Sequence, residues 1–518
     1  MTVASAAGNC DFAEGQMEKA KIILDKDYTI ADIDEKVFSS FVEPLGRCIY
    51  GGLYQPGHPR ADENGFRRDV LELTRPLNLT LNRFPGGNFV STYRWEDGIG
   101  PKEERPRRVE PAWRSIEPNQ FGLNEFADWS KLNGSDVMMT VNLATRGVLD
   151  AMDCLEYCNF ESDTYWSDMR IEHGYKKPHG YKYWCLTNEI DGIWQVGQRS
   201  GHDYGKLACE ASKGMKLIDP EIKTVLAGSS SPNQVTYPSF DAAALDESYE
   251  FVDYLSIHQY LGNAKNDTPN YLAKPLTTDA FFKSAIAACD FIQSKKRGSK
   301  KIHISFDEFN TWHSIAKDHR YDNPWQVGPP LLEDTYTMED ALALGGMLLA
   351  ILKNADRVRI ACISELVNCI SHIRTNNNGG AWVLPAYYAF MHFSLYGRGT
   401  ALKTLVDSPK YDSKDFTDVP YLDAMATMGE NGEVTIFAIN RSLDSSLPLE
   451  ADLRGFDGYR VKKHIVLESE NARDTNTEEN PYHVIPHEKG NAVCSGCKVT
   501  AELSRLSWNV ILLESEKS

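Results

Sequence analysis

Between residues 37 and 366, short apolar, β-branched or aromatic runs alternate with longer amphipathic stretches, and that alternation leaves few folds open. Runs of this kind separated by helix-length segments make βα units, whose strands pair in parallel and are covered by helices. Eight runs can be counted, at 37–42, 79–83, 137–142, 183–187, 224–227, 254–258, 302–306 and 358–363. Apolar residues near the helical period predict helices over 124–132, 204–217, 280–293 and 338–352. The class is therefore α/β, and eight strands with intervening helices predict a closed (β/α)8 TIM barrel.

After about residue 400 the helical period disappears. Alternating runs such as 433–439, which follows the turn Glu430-Asn431-Gly432, and 508–513 predict an antiparallel all-β sandwich. Residues 20–24 precede the first barrel strand without a barrel partner and are expected to add an edge strand to that sandwich. The expected division is a catalytic barrel over 35–400 and a second domain over 401–518, to which 17–34 adds a strand. A long loop at 314–337, with Pro324-Trp325 and Pro329-Pro330, is expected to form a lid or rim.

Composition narrows the partners. A net charge of -18 over 518 residues speaks against a nucleic-acid partner, which needs a basic stripe to displace counterions. The first nineteen residues lack the basic and apolar regions of a leader, and no uninterrupted apolar stretch is long enough to span a membrane, so no membrane partner and a cytoplasmic location are expected. Eleven cysteines, an odd number scattered along the chain, fit reduced thiols. Cys154/Cys158 and Cys494/Cys497 have zinc-like spacing, but they fall in segments assigned to different domains.

Two of the strand-like runs close on glutamates: Glu189 in Thr187-Asn188-Glu189-Ile190-Asp191-Gly192 and Glu308 in Ser305-Phe306-Asp307-Glu308-Phe309-Asn310. In a parallel barrel the carboxyl ends of all strands open on one face, so these side chains can converge. Two converging carboxyls are the minimum for breaking a glycosidic bond, and a separation of about 5 Å lets one serve as acid and base while the other attacks the anomeric carbon. Other polar residues expected just past strand ends are Glu43, Arg83, Asn88, Asn188, His258, Tyr260 and Glu365. Taken singly, Arg83 would equally brace a loop carboxylate and His258 would equally be a satisfied core histidine. A metal-dependent hydrolase built on His258, His303 and Asp307 would need a His-x-His at the end of the first strand, where Phe41-Val42-Glu43 stands.

The chain resembles glycoside hydrolase family 51, the intracellular α-L-arabinofuranosidases, over nearly its whole length. The matching blocks are Phe41-Val42-Glu43-Pro44-Leu45-Gly46-Arg47, Arg83-Phe84-Pro85-Gly86-Gly87-Asn88-Phe89, Trp95-Glu96-Asp97-Gly98-Ile99-Gly100, Asn188-Glu189-Ile190-Asp191-Gly192, His258-Gln259-Tyr260 and Asp307-Glu308-Phe309-Asn310. The resemblance implies a barrel followed by a jelly-roll-like β domain, retaining exo-hydrolysis of arabinan or arabinoxylan oligosaccharides, no cofactor or metal, and a homo-oligomer, often a hexamer. It implies Glu189 as acid/base and Glu308 as nucleophile, with Glu43, Asn88 and Asn188 binding ring hydroxyls and Arg83 and Tyr260 keeping Glu308 ionised. Trp194 and Trp312 are candidate aromatic walls, although either would serve equally in core packing.

Three positions depart from the family pattern. Pro44 stands where histidine is common, Leu261 where a second aromatic is frequent, and Glu365 where glutamine usually ends strand eight. An ionised Glu365 accepts but cannot donate a hydrogen bond, so it is expected to alter substrate preference or pH dependence. The alternatives are another activity of the same clan, such as a β-xylosidase or endo-β-glucanase, and a non-catalytic sugar-binding protein.

Overall fold

The barrel strands form where the sequence is apolar on both faces, as a sheet covered by helices requires. In the computed structural model, which describes residues 18–314 and 319–516, they are β1 (Ser39–Phe41), β2 (Leu81–Phe84), β3 (Asp136–Val141), β4 (Tyr183–Leu186), β5 (Lys223–Ala227), β6 (Tyr254–Leu261), β7 (His303–Thr311) and β8 (Val358–Ile363). Each pairs in parallel with its neighbour in sequence, and β8 returns to β1 through Cys362 opposite Ser39, closing the barrel. Residue 17, most of the stretch 1–19, Cys10 and part of the loop 314–337 lie outside the described residues. Among the described residues no helix is long and apolar enough to cross a membrane.

Inside the barrel, Phe41, Leu81, Met138, Cys185, Val225, Ile360 and Cys362 pack into an apolar plug. The four expected helices fall within Leu123–Asn133, Gly201–Ile218, Leu276–Lys296 and Met338–Lys353. The last is buried from Met338 to Leu352 because it is covered on both sides, by the barrel and by the second sheet system. Gly345 makes that approach possible, since a Cβ there would lie 2.8 Å from Trp508 Cε3. A larger side chain would overpack the contact at a cost of about 1–3 kcal/mol.

The β-rich part is a sandwich of two sheets. The outer sheet has the order Leu405–Asp407, Ala20–Asp25, Leu447–Arg454, Lys498–Leu503, Val493–Ser495. The inner sheet has the order Thr29–Asp32, Thr400–Leu402, Leu422–Met428, Val434–Asn440, Ser507–Ser515, Tyr459–Glu468. Leu447, Leu449, Ala451 and Leu453 face inward on alternate positions beside Ile22 and Leu24 of the same sheet and meet Val434 and Ile436 of the inner sheet across the core.

Three expectations need correction. Ala20–Asp25 is not an edge strand; it lies between Leu405–Asp407, antiparallel, and Leu447–Arg454, parallel. A strand whose backbone is paired on both sides has to be internal, and the edge of the inner sheet is Thr29–Asp32 instead. Nor does Val434–Asn440 alternate: every residue is buried, because the inner sheet meets the outer sheet on one face and Met338–Lys353 on the other. The strand expected at 302–306 continues to Thr311, which places Glu308 within β7 rather than beyond its end.

The described stretch 319–337 of the loop 314–337 contains a short turn at His319–Tyr321 and packs on the hairpin Arg108–Glu110/Ser115–Glu117. Ile116 N donates to Gln326 O (2.9 Å), and the Arg114 guanidinium lies 4.8 Å from the Trp325 ring. The internal position of Ala20–Asp25 leads to a prediction. A chain beginning at residue 35 lacks both Ala20–Asp25 and Thr29–Asp32, so it should leave Leu405–Asp407, Leu447–Arg454 and Thr400–Leu402 each with an unpaired edge and lose solubility and thermal stability; unchanged solubility and melting temperature would contradict it.

Candidate active site

The predicted polar residues converge on the carboxyl ends of the strands, and they do so because the backbone departs from regular strand geometry there. Thr187 (φ 79°) and Glu189 (φ 41°) adopt left-handed conformations on either side of Asn188. In an extended strand consecutive side chains point to opposite faces. Here both Asn188 and Glu189 turn into the mouth, the first to Arg83 and the second to His258. β6 and β7 carry register shifts at Ser256/His258 and Phe306/Phe309. Irregularities of this type re-aim side chains, and Asp307 and Glu308 both make interior contacts.

Arg83, almost completely buried, joins three strands. Its Nη1 donates to Glu308 Oε1 (2.6 Å), its Nη2 to Asn188 Oδ1 (2.5 Å), and its Nε lies 3.5 Å from Asp307 Oδ2. Tyr260 OH donates to the second oxygen of Glu308 (3.1 Å). His258 Nδ1 lies 2.9 Å from Glu189 Oε1 and 3.4 Å from Glu308 Oε2, with its Nε2 3.4 Å from Asp307 Oδ1. Trp194 Nε1 donates to Glu189 Oε2 (2.9 Å). A carboxyl oxygen of Glu189 and one of Glu308 lie within 4.8 Å of each other.

The two carboxyls sit in unlike surroundings. Burial raises the pKa of Glu189, and the negative charge of Glu308 adds to it, although the His258 contact pulls the other way. Burial also opposes the charge on His258, yet Glu308, Asp307 and Glu189 together lift it to about 10. Asp307 is held below its ordinary value despite burial, because Arg83 and His258 flank it.

A second acid pair lines the opposite side. Glu43 Oε1 accepts from Phe89 N (2.8 Å) and Trp113 Nε1 (2.7 Å), and Glu43 N donates to Glu365 Oε2 (2.9 Å). Burial and the charge of Glu308 push Glu43 up to about 8; burial and Glu43 hold Glu365 well above the carboxylate range. Both effects favour the neutral form of Glu365, and in that form it can donate a hydrogen bond as glutamine does. Gly87 (φ 28°) makes room for Glu43, since a Cβ there would lie 2.0 Å from its Oε2.

Glu43, Asn88, Glu189, Trp194, Tyr260, Glu308, Trp312 and Glu365 line one cavity of about 530 Å³, whereas Arg83, Asn188 and His258 lie buried against it. Trp312 packs edge-on to Tyr260 (5.4 Å between centroids). The set His258, His303 and Asp307 does not assemble, because His303 begins β7 opposite Tyr254 at the far end of the barrel. Glu189, His258 and Glu308 are the groups near enough to hold a cation. Arg83, Tyr260 and Trp194 already donate to those carboxyls, and the Arg83 guanidinium brings a positive charge to Glu308. A similar cluster, His313, Glu339 and Asp340, is likewise occupied by Arg473, Tyr271 and Thr268.

Sequence reasoning missed Trp113 and Ser256. Trp113 arrives from the hairpin beyond β2, with no strand-end position to mark it, and Ser256 Oγ donates to Asp307 Oδ1 (2.5 Å) from inside β6. An internal small polar residue two before His258 was the available signal.

The acid pair sets a pH dependence. A folded pKa raised above the ordinary 4.5 means that the folded chain holds the proton more tightly, so the contribution is complete below 4.5 and is lost as pH rises through the folded value, about 8 for Glu43. Glu365→Gln should make the fall in melting temperature between about pH 5 and pH 9 shallower than in the parent. Parallel curves would contradict the assignment of a proton to this pair.

Comparison with known proteins agrees with this geometry. The profile of the Alpha-L-arabinofuranosidase 1 domain matches residues 73–274, and that of the Alpha-L-arabinofuranosidase C-terminal domain residues 307–507. The chain is 52% identical over 495 residues to an intracellular exo-α-(1→5)-L-arabinofuranosidase of Halalkalibacterium halodurans, covering 95% of this chain and 99% of that one. It is 47% identical over 501 residues to the corresponding Bacillus subtilis protein, covering 96% and 100%. A family 51 α-L-arabinofuranosidase from Bifidobacterium longum superposes with a TM-score of 0.92 at 37% identity, over 96% of this chain and 99% of that one. An arabinose complex of the Thermotoga maritima enzyme gives 0.86 at 30% identity, over 95% and 99%. A barrel with paired glutamates at its mouth, and relatives aligned from end to end, place the chain in glycoside hydrolase family 51, the α-L-arabinofuranosidases.

Proposed function

We propose that the protein is a retaining exo-α-L-arabinofuranosidase that releases terminal non-reducing α-L-arabinofuranosyl residues from arabinan or arabinoxylan oligosaccharides, with Glu189 as acid/base and Glu308 as nucleophile. The observation that carries this reading is the oxygen separation within 4.8 Å between two carboxyls held by different donors, Glu189 by His258 and Trp194 and Glu308 by Arg83 and Tyr260. Retaining enzymes keep their carboxyls about 5 Å apart, whereas inverting enzymes leave roughly 6.5–9.5 Å for a water.

In the first step an oxygen of Glu308 bonds to the anomeric carbon as the glycosidic C–O bond breaks, and the Glu189 proton passes to the leaving oxygen. Esterification removes the Glu308 charge, one of the causes that raise Glu189, so the pKa of Glu189 falls when it has to act as a base. Glu189 then takes a proton from water, the water oxygen bonds to the anomeric carbon, and Glu308 leaves as a carboxylate. Glu43, Asn88, Asn188 and Glu365 bind the ring hydroxyls; Arg83, His258 and Tyr260 hold the two carboxyls in place; Trp194 and Trp312 wall the sugar.

The division into a catalytic unit at 35–400 and a second unit at 401–518 joined by 17–34 is supported by the sheet membership of Ala20–Asp25 and of the strands from Leu405 onward, although Thr400–Leu402 already belongs to the sandwich. Cytoplasmic action is supported by relatives named as intracellular. Assembly into a homo-oligomer, as a hexamer, is part of the same reading.

The test is stereochemical. With a dinitrophenyl α-L-arabinofuranoside and azide, Glu189→Ala should yield the α-azide, because azide intercepts the glycosyl ester. Glu308→Ala should lose activity by about four orders of magnitude and yield the β-azide by direct displacement. The same anomer from both variants, or an active Glu308→Ala enzyme without azide, would overturn the assignment.

A further inference from the structure

Beside the mouth runs a second groove of about 450 Å³ that shares Ser231, Asn233 and Tyr260 with the active-site cavity. Its far wall combines Ala280 and Phe281 of Leu276–Lys296 with Phe416, which the sandwich presents between Lys410–Tyr411 and Val419–Pro420. That segment is fastened to the barrel. Asn270 Oδ1 accepts from Asp415 N (2.9 Å) and Ser413 Oγ (3.0 Å), Asn270 Nδ2 donates to Asp415 Oδ2 (2.8 Å), and Tyr411 OH donates to Pro269 O (3.0 Å). A sandwich loop is thus held as part of the barrel rim.

The direction of the reaction fixes what reaches this groove. The acid protonates the leaving oxygen, so the departing chain lies on the side of Glu189, where Trp194 donates to Glu189 and Ser230 is bound to Asp191, two residues on. Ser231, next to Ser230, lines both the cavity and the groove. The groove's two charged side chains are of opposite sign, and each has a polar partner: Lys274 Nζ donates to Gly262 O (2.5 Å), and Asn270 Nδ2 donates to Asp415 Oδ2 (2.8 Å). Beside them lies an aromatic face with neutral polar neighbours, and a lining without net charge suits an uncharged sugar.

We infer that the groove is a distal leaving-group subsite, which holds an arabinofuranosyl unit of the departing chain beyond the residue attached to the scissile oxygen, with Phe416 as its platform. The inference rests on the exo-arabinofuranosidase reading above. Lengthening the chain then adds binding energy remote from the reacting carbon, which raises kcat/KM.

The experiment compares kcat/KM for α-1,5-linked arabinobiose, arabinotriose and arabinotetraose with that for nitrophenyl α-L-arabinofuranoside, in the parent, Phe416→Ala and Ala280→Trp. Ala280 is exposed on its helix, so tryptophan there fills the groove without entering the core. The parent should gain about fivefold or more from biose to tetraose. Both variants should lose that gain while keeping the nitrophenyl rate. A flat series in the parent, or an undiminished gain in both variants, would overturn the subsite while leaving the catalytic reading intact. An inactive nitrophenyl substrate in the parent would instead sink the catalytic reading, and the subsite with it.

Discussion

One guanidinium organises the mouth of the barrel. Arg83 reaches Glu308 on β7, Asn188 beyond β4 and Asp307 beneath them from a position almost completely shut off from water. A buried charge cluster is weak support for stability, because desolvation offsets much of the attraction; removing one partner nevertheless leaves uncompensated charge at a cost of about 3–5 kcal/mol. Arg83 is better understood as fixing the direction of the carboxylate it holds. With Tyr260 on the other oxygen, Glu308 has both oxygens bound in a fixed plane.

The remaining charges follow from that contact. The negative charge of Glu308 lifts His258 and adds to the burial that raises the pKa of Glu189. It also raises Glu43, which in turn raises Glu365. In the proposed cycle, neutralising Glu308 by esterification would be felt by Glu189 and Glu43 directly. In its neutral form Glu365 offers one O–H donor and a carbonyl acceptor, so it can make one donor and one acceptor contact as an amide does.

Much of this was legible in the sequence, and for identifiable reasons. The barrel strands showed because both faces are buried, and Glu189 and Glu308 showed because each closes an apolar run. The aim of the side chains did not show. It depends on left-handed backbone at Thr187 and Glu189 and on register shifts in β6 and β7, which the residue types do not announce. Trp113 was invisible because its bond to Glu43 spans 70 positions from an unrelated hairpin. Ala20–Asp25 was read as an edge because its partners, Leu405–Asp407 and Leu447–Arg454, lie more than 350 positions away.

The unequal treatment of two nearby carboxyls is the central claim, and the glycosyl-enzyme tests it most directly. Glu189→Ala, mixed with a dinitrophenyl α-L-arabinofuranoside and quenched in acid, should carry one pentosyl ester, and peptide mass spectrometry should place it on Glu308. An ester on any other carboxyl, or rapid turnover to the inverted sugar with no ester formed, would contradict the account.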